Sequence, residues 1–315
     1  MIKKRTVFVL GAGAHVPYGF STGEGLLAKA RELTVDIMMS WVDQQLHAQE
    51  LKPLKDALTD NFLPSIDALL ERREDLRRAG KKLMMALLFN EEAESLKQTW
   101  RAEEDWMSLV FKEMADGAET LEKFGDNPVS FITFNYDRLL EHRLIRGLAV
   151  RYNVPTSRVW NAIKQFQFIH VYGSLGCLPG TIGPENEAIP FAVPESPGVT
   201  YKGLALGRAE HLLRIVHDVH GDQQFAAVHQ LLHSRDTEQI FFFGFAFGKE
   251  NVDRLQTRQI ATGTSVYCTT YKMTSAEVTD SVIPAFPNHP SHGSSLDRED
   301  TTIRDFLRKR IHVFR

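Results

Sequence analysis

Three short polar clusters, far apart in the chain, hold the side chains best suited to chemistry. Gly11-Ala12-Gly13 follows the apolar run Thr6–Leu10, Asn135 and Asp137 end the segment Thr133-Phe134-Asn135-Tyr136-Asp137, and His170 opens His170-Val171-Tyr172-Gly173-Ser174. A strand that runs through Gly-x-Gly into a helix is how α/β folds receive a pyrophosphate. Glycine lets the backbone approach the anion, and helix N-terminal N–H groups meet it. An amide such as Asn135 can orient a hydroxyl or a water, and an imidazole such as His170 exchanges a proton near neutral pH. Each cluster also has a plain structural reading. The glycines can serve a tight turn, Asp137 can cap the helix that begins Arg138-Leu139-Leu140, and His170 can be a satisfied, half-buried histidine. The dinucleotide fingerprint of dehydrogenases is not met. It requires a third glycine where Val16 stands, and an acid about twenty residues on, where Ala28-Lys29-Ala30-Arg31-Glu32 reads as helix.

The elements that must position these residues follow from hydrophobic pattern. Thr6–Leu10 is an unbroken apolar run of the kind found in parallel strands buried on both faces, and Val129–Phe134, Phe166–Val171 and Ile240–Phe243 share its largely apolar pattern. Ser265–Thr269 reads as a weaker fifth strand and Ile311–Phe314 as a last one. Helical segments lie between them, which predicts a doubly wound α/β fold: a Rossmann-like parallel sheet with helices on both faces. Residues 34–125 contain no convincing strand and are rich in good helix formers, with Leu69, Leu70, Leu76, Leu83, Leu87 and Leu88 near helical spacing. This predicts a large α-helical insertion within a single domain of residues 1–315, broken at Pro53, Pro64 and Gly80, with Ser65 capping a helix start. Cys177–Gly203 and Pro284–Ser295 read as loops, and Leu204–Ser234 as a second helical block. In an open α/β sheet, ligands bind outside the carboxyl ends of the strands. Gly11, Gly13, Asn135, Asp137 and His170 all fall at such ends and are expected to converge on one cleft.

Composition narrows the class. The chain has 315 residues, 43% of them hydrophobic and 24% charged, and a formal net charge of −3, which gives no global reason to expect nucleic acid or an anionic membrane surface. Its two cysteines, Cys177 and Cys268, exclude a disulfide scaffold and suit a reducing cytoplasm. No apolar run is long enough for a signal core or a membrane span. His217, His220, His229 and His233 fall at helical spacings that suit a metal. No cysteine lies near them and Asp218 is off that face, so they are read as solvated or interface histidines and no metal is expected. Glu103-Glu104-Asp105 reads as a solvated helix face.

Taken together and in this order, the three clusters resemble the sirtuin family, whose pattern is a Gly-Ala-Gly loop, then Thr-Gln-Asn-x-Asp, then a histidine followed by glycine. A fourth element is similar: the strand Ile240–Phe243 runs into Gly244-Phe245-Ala246-Phe247-Gly248, where sirtuins have a glycine-containing strand end that helps hold the cofactor. The resemblance spans residues 5–255 and implies a sirtuin-type sheet that takes NAD+ as substrate. By it, Gly11, Ala12 and Gly13 cradle the diphosphate, with Gly244 and Phe245 beside them. Asn135 holds the nicotinamide ribose and the attacking oxygen, Asp137 contacts the carboxamide or braces the loop, and His170 is the general base. His15 stands where the family has serine. Two isolated cysteines cannot form the four-ligand zinc ribbon of the deacylase sirtuins. The Asn-Tyr-Asp and Pro17-Tyr18-Gly19 segments resemble bacterial sirtuin-like proteins of antiviral defence instead. That implies NAD+ hydrolysis to ADP-ribose and nicotinamide, in a homo-oligomer or with a partner such as a ring-forming DNA-translocase ATPase. Protein deacylation, ADP-ribosyl transfer, and a non-catalytic NAD or ADP-ribose sensor are the alternatives.

Overall fold

Five apolar runs and one polar run pair into a single parallel sheet: β1 (Thr6–Leu10), β2 (Val129–Thr133), β3 (Gln167–His170), β4 (Gln239–Phe243), β5 (Ser265–Thr269) and β6 (Leu296–Glu299). The computed structural model describes residues 1–42, 46–59, 62–98, 103–181, 188–193, 201–215, 223–289 and 296–314. The strand order is β3-β2-β1-β4-β5-β6, and every pairing is parallel. Chain reversal at β1 puts the topological switch point between β1 and β4, where doubly wound sheets bind ligands.

Period-two alternation divides the buried residues of the sheet between its faces. Phe8 and Leu10 of β1, Phe131 of β2, and Phe241 and Phe243 of β4 join one core. Val7, Val9, Ile132, Ile240 and Phe242 join the other. Register places one aromatic ring per strand side by side on the first face. Phe168, Phe131, Phe8, Phe241 and Tyr267 form a row with successive centroids 5.2, 5.4, 5.2 and 4.6 Å apart. Cross-strand aromatic pairs of this kind fix register as well as burying area.

The connection from β1 to β2 is helical throughout its described elements: α1 (Gly23–Glu32), α2 (Val35–Trp41), α3 (Ala48–Leu58), α4 (Ile66–Arg72), α5 (Arg77–Lys97), α6 (Trp106–Ala115) and α7 (Leu121–Gly125). The hydroxyls of Thr22, Thr34 and Ser65 cap α1, α2 and α4, each accepting from the backbone N–H three residues on. The helical module differs in extent from residues 34–125. Leu26, Leu27 and Ala30 of α1 belong to its core with α2–α5, whereas Trp106, Met107, Val110, Leu121 and Phe124 of α6 and α7 pack on the sheet. Two expected breaks are also absent. Pro53 lies within α3, and Gly80 lies within α5. A Cβ on Gly80 would lie 2.3 Å from Leu70 Cδ2, so this glycine serves the approach of α4 to α5 and does not end a helix.

After β2 come α8 (Leu139–Tyr152) and α9 (Thr156–Ala162), and after β3 the short helices α10 (Tyr201–Gly207) and α11 (Ala209–Leu212). α10 begins inside the expected Cys177–Gly203 loop. Leu175, Ile189, Ala205, Leu206 and Leu213 pack into the core of the helical module, so the segment after β3 folds back over it. α12 (Gln223–Leu232) and α13 (Lys249–Leu255) cover the second sheet face, where His229 Nε2 donates to the Arg254 carbonyl at 2.7 Å and His233 Nε2 to that of Leu255 at 3.2 Å. These two histidines tie helix to helix; His217 and His220 lie outside the described residues. Ile311–Phe314 is a 3₁₀ turn rather than a strand, with Val313 and Phe314 buried in the first core. The final strand is β6. Among the described residues, no helix is long and apolar enough to cross a membrane, and no group of three or more His, Cys, Asp or Glu is placed to hold a metal ion.

Candidate functional site

β1 ends at Leu10, and the chain turns at once. Gly11-Ala12-Gly13-Ala14 forms a 3₁₀ turn, with the Ala14 N–H donating to the Gly11 carbonyl at 3.0 Å. A second 3₁₀ turn, Val16–Tyr18, ends at Gly19, a left-handed turn cap with φ of 91°. The reason for Gly11 and Gly13 lies across the switch point. A Cβ on Gly11 would fall 2.3 Å from the Gly244 carbonyl oxygen, and one on Gly244 would fall 2.0 Å from Ala14 N. The Gly13 N–H donates to the Gly244 carbonyl at 3.1 Å. The two strand ends are pressed backbone to backbone. Close packing of the turn after β1 on the turn after β4 therefore accounts for Gly11, Gly13 and Gly244 by itself. Phe245 turns away from this contact, and its ring packs edge-on against Phe134 at 5.0 Å within the second core. Phe247, also buried there, holds φ of 54°, a strained state for an aromatic residue that this packing enforces.

β2 delivers Asn135 and Asp137 to the same edge. Asn135 Nδ2 donates to the Gly11 carbonyl at 3.2 Å, which fixes the orientation of the amide. Its Oδ1 is buried and meets no partner among the described residues. Asp137 is 4% exposed and grips His15, itself 2% exposed: His15 Nδ1 lies 2.9 Å from both carboxylate oxygens. The Leu139 N–H at the start of α8 also donates to Asp137 Oδ1, at 3.0 Å. Asp137 thus accepts from the start of α8 and holds the turn after β1 through His15. Burial pushes its carboxyl up, but His15, the Leu139 N–H and the nearby His170 outweigh burial and hold it below the usual carboxylate range. His15 Nε2 is buried and meets no partner among the described residues.

His170, the last residue of β3, is held at both ring nitrogens. Nδ1 lies 2.9 Å from the Asn135 carbonyl oxygen and Nε2 lies 2.6 Å from Glu141 Oε1 on α8. A carbonyl and a carboxylate both accept, so the ring donates twice and carries a proton on each nitrogen. Burial opposes that charge. Glu141, the Asn135 carbonyl and Asp137 outweigh it and raise the imidazole above its ordinary value. In this arrangement His170 is a cation that locks the backbone of Asn135, and it has no free lone pair with which to act as a base.

The helical module packs over these strand ends. Tyr136, between Asn135 and Asp137, points its hydroxyl at Asp67 Oδ1 on α4 (2.7 Å) and at the Arg214 carbonyl (2.9 Å). Arg138 is buried and forked onto Glu92 of α5, with Nε–Oε1 at 3.0 Å and Nη2–Oε2 at 2.6 Å, and its Nη1 donates to the Ile189 carbonyl at 2.6 Å. Asp105, Arg143 and Tyr18 form a further polar knot beside the second 3₁₀ turn. The structure therefore gathers Gly11, Ala12, Gly13, Asn135, Asp137, His170 and Gly244 at one sheet edge. It adds His15, Glu141, Glu92 and Arg138, which sequence reading left without a role there. Glu141 follows Asp137 by one helical turn, and that spacing is the signal that could have found it. Comparison of the sequence with protein-family models and with curated proteins finds no match.

Proposed function

We propose that this chain hydrolyses NAD+ at the bond between nicotinamide and ribose, giving ADP-ribose and nicotinamide. The observation that carries the reading is the orphaned Oδ1 of Asn135, a buried acceptor fixed by Gly11 at the carboxyl edge of β2, next to the switch point. A buried polar atom without a partner costs about 1–3 kcal/mol, and such groups persist where a ligand completes them. Departure of nicotinamide leaves an oxocarbenium-like ribose, so the protein needs to grip the dinucleotide, exclude bulk water and orient one water at the anomeric carbon. Asn135 Oδ1 is an acceptor for that water or for a ribose hydroxyl. The cation at His170 holds the Asn135 backbone in place. The resemblance assigns the diphosphate to the turn after β1, whose glycines pack against the turn after β4. The resemblance to sirtuin-like NAD+ hydrolases supports the same reaction, and with it bacterial defence by NAD+ depletion, in a homo-oligomer or with an ATPase partner.

The test is to incubate the purified full chain with NAD+ and follow free nicotinamide. Release by the native chain and at least a hundredfold loss in Asn135→Ala are expected, as for removal of a group that positions the reactants. Binding of NAD+ with no nicotinamide released would leave the sensor as the better description. Release that needs an acylated peptide would favour deacylation.

A further inference from the structure

The reaction proposed above needs a base for the attacking water, and the obvious imidazole cannot supply one, because both nitrogens of His170 face acceptors. We propose that His15 is the catalytic base and Asp137 its positioning carboxylate. This assignment rests on the NAD+-hydrolysis reading and adds the proton acceptor to it.

The argument begins with the two ring nitrogens of His15. Nδ1 faces both oxygens of Asp137 at 2.9 Å, so it carries a hydrogen. The remaining nitrogen, Nε2, then bears the lone pair when the ring is neutral, and it is the nitrogen that meets no partner among the described residues. A carboxylate that fixes the tautomer of an imidazole and leaves the far nitrogen free is the arrangement that makes histidine an effective base, whatever the fold. His15 immediately follows the Gly11–Ala14 turn, and Asn135 hangs from the same turn through its amide. The site thus presents two buried acceptors beside one glycine turn, His15 Nε2 and Asn135 Oδ1. An unpartnered imidazole nitrogen of this kind can take a proton from a water bound beside the turn. The charged groups bearing on His15 are Asp137, by direct contact, and the His170 cation, which acts through Asp137; the ring edge of Phe20, with centroids 6.0 Å apart, covers another side.

The step balances. A water oxygen forms its bond to the anomeric carbon as the bond from that carbon to the pyridinium nitrogen breaks. The bonding pair goes to the nitrogen and leaves neutral nicotinamide. One water proton passes to His15 Nε2 and is later released to solvent. Asp137 stays ionised, stabilising the imidazolium that forms.

The test uses substitutions that keep the buried geometry. In His15→Asn the amide nitrogen can still donate to Asp137 while Nε2 is deleted. In Asp137→Asn the new amide donates to Nδ1 and forces the hydrogen onto Nε2. Unchanged melting temperature to within a few degrees verifies the fold. With NAD+ as probe, His15→Asn is expected to lower kcat by about 10²–10⁴-fold with KM little changed. It should also remove the acid limb of the pH–rate profile, the limb along which the base becomes protonated. Asp137→Asn should do the same in part, and His170→Gln should keep the limb. Native-like kcat and an intact acid limb in His15→Asn overturn the assignment while Asn135-dependent nicotinamide release leaves the reaction standing. No release by the native chain overturns both. A second readout is independent of turnover: the ¹⁵N resonance of His15 Nε2 should shift on adding ADP-ribose, and a resonance that stays in place overturns the assignment.

Discussion

His170 and Asp137 sit at one sheet edge and shift in opposite directions, each against burial, His170 mainly through Glu141 and Asp137 mainly through His15, which gives the fold a stability window in pH. The folded imidazole of His170 titrates above its unfolded value of about 6.5. Its contribution is therefore complete below about 6.5 and is lost as pH rises through the folded value. Asp137 titrates below its unfolded value of about 3.9, so its contribution is present above about 3.9 and lost as pH falls through the folded value. Stability should accordingly decline at the alkaline side of neutrality as well as in acid. Urea midpoints from pH 5 to 10 check this: His170→Gln should flatten the alkaline decline specifically. An unchanged slope in that variant would mean the Glu141 contact is not what holds the proton. His142 makes a useful internal contrast, because burial and the neighbouring cations Arg146, Arg138 and Arg143 push it down to about 4, so it stays neutral where His170 is charged.

Among the elements, the joint that matters most is between α5 and the turn from β2 to α8. Glu92, on α5, receives two hydrogen bonds from the Arg138 fork and one from the Ala192 N–H at 3.0 Å, while Arg138 reaches the Ile189 and Pro190 carbonyls. One buried pair thus binds the helical module, the segment 188–192 and the strand end carrying Asn135. Removing one partner strands the other charge in the interior, so Glu92→Ala and Arg138→Ala should each cost about 3–5 kcal/mol. Urea unfolding measures the loss, and limited proteolysis should newly cut near residues 188–192; a loss under ~1 kcal/mol would mean water reaches the pair. None of this was legible in the sequence, where the two residues are 46 positions apart. What was legible is what burial imposes: β1, β2 and β4, in the middle of the sheet, announce themselves as apolar runs, β5 does so more weakly, and the edge strand β3 is found through Phe168 and Ile169, which pack against the two sheet cores. β6, at the other edge, does not, because its Asp297, Arg298 and Glu299 are polar and only partly buried and its carboxylates pair with Arg310. Ile311–Phe314 misleads for the converse reason. It is apolar because Phe314 packs 5.2 Å from Phe241 in the core, not because it pairs with a strand. At the site, the three clusters could be placed at strand ends from topology alone. The partner of His15 could not, since that contact spans 122 residues and no local period encodes it, and Glu141, the partner of His170, was signalled only by its spacing from Asp137.

For the whole molecule, the sheet and the helical module have separate cores, and the proposed ligand would lie where they meet. Glycine contacts at the switch point and the aromatic row across β3 to β5 make the sheet a rigid floor. The module is tied down over it by the polar contacts of Tyr136 and Arg138. A ligand that binds only the assembled state stabilises it by mass action, roughly 2.7 kcal/mol at a hundred times its dissociation constant. For a chain of this size that corresponds to a rise of about 4 °C in melting temperature. ADP-ribose, which keeps the diphosphate and ribose but has no bond to cleave, should produce this rise, and nicotinamide alone should produce much less. Asn135→Ala should reduce the ADP-ribose effect, because the completed acceptor is gone. Arg138→Ala should lower the starting temperature and weaken the response together, because the module must close for the ligand to be gripped from both sides. Differential scanning fluorimetry across a ligand titration separates these outcomes. A melting temperature indifferent to ADP-ribose at millimolar concentration would show that the site does not take a dinucleotide, however well its orphaned acceptors suit one.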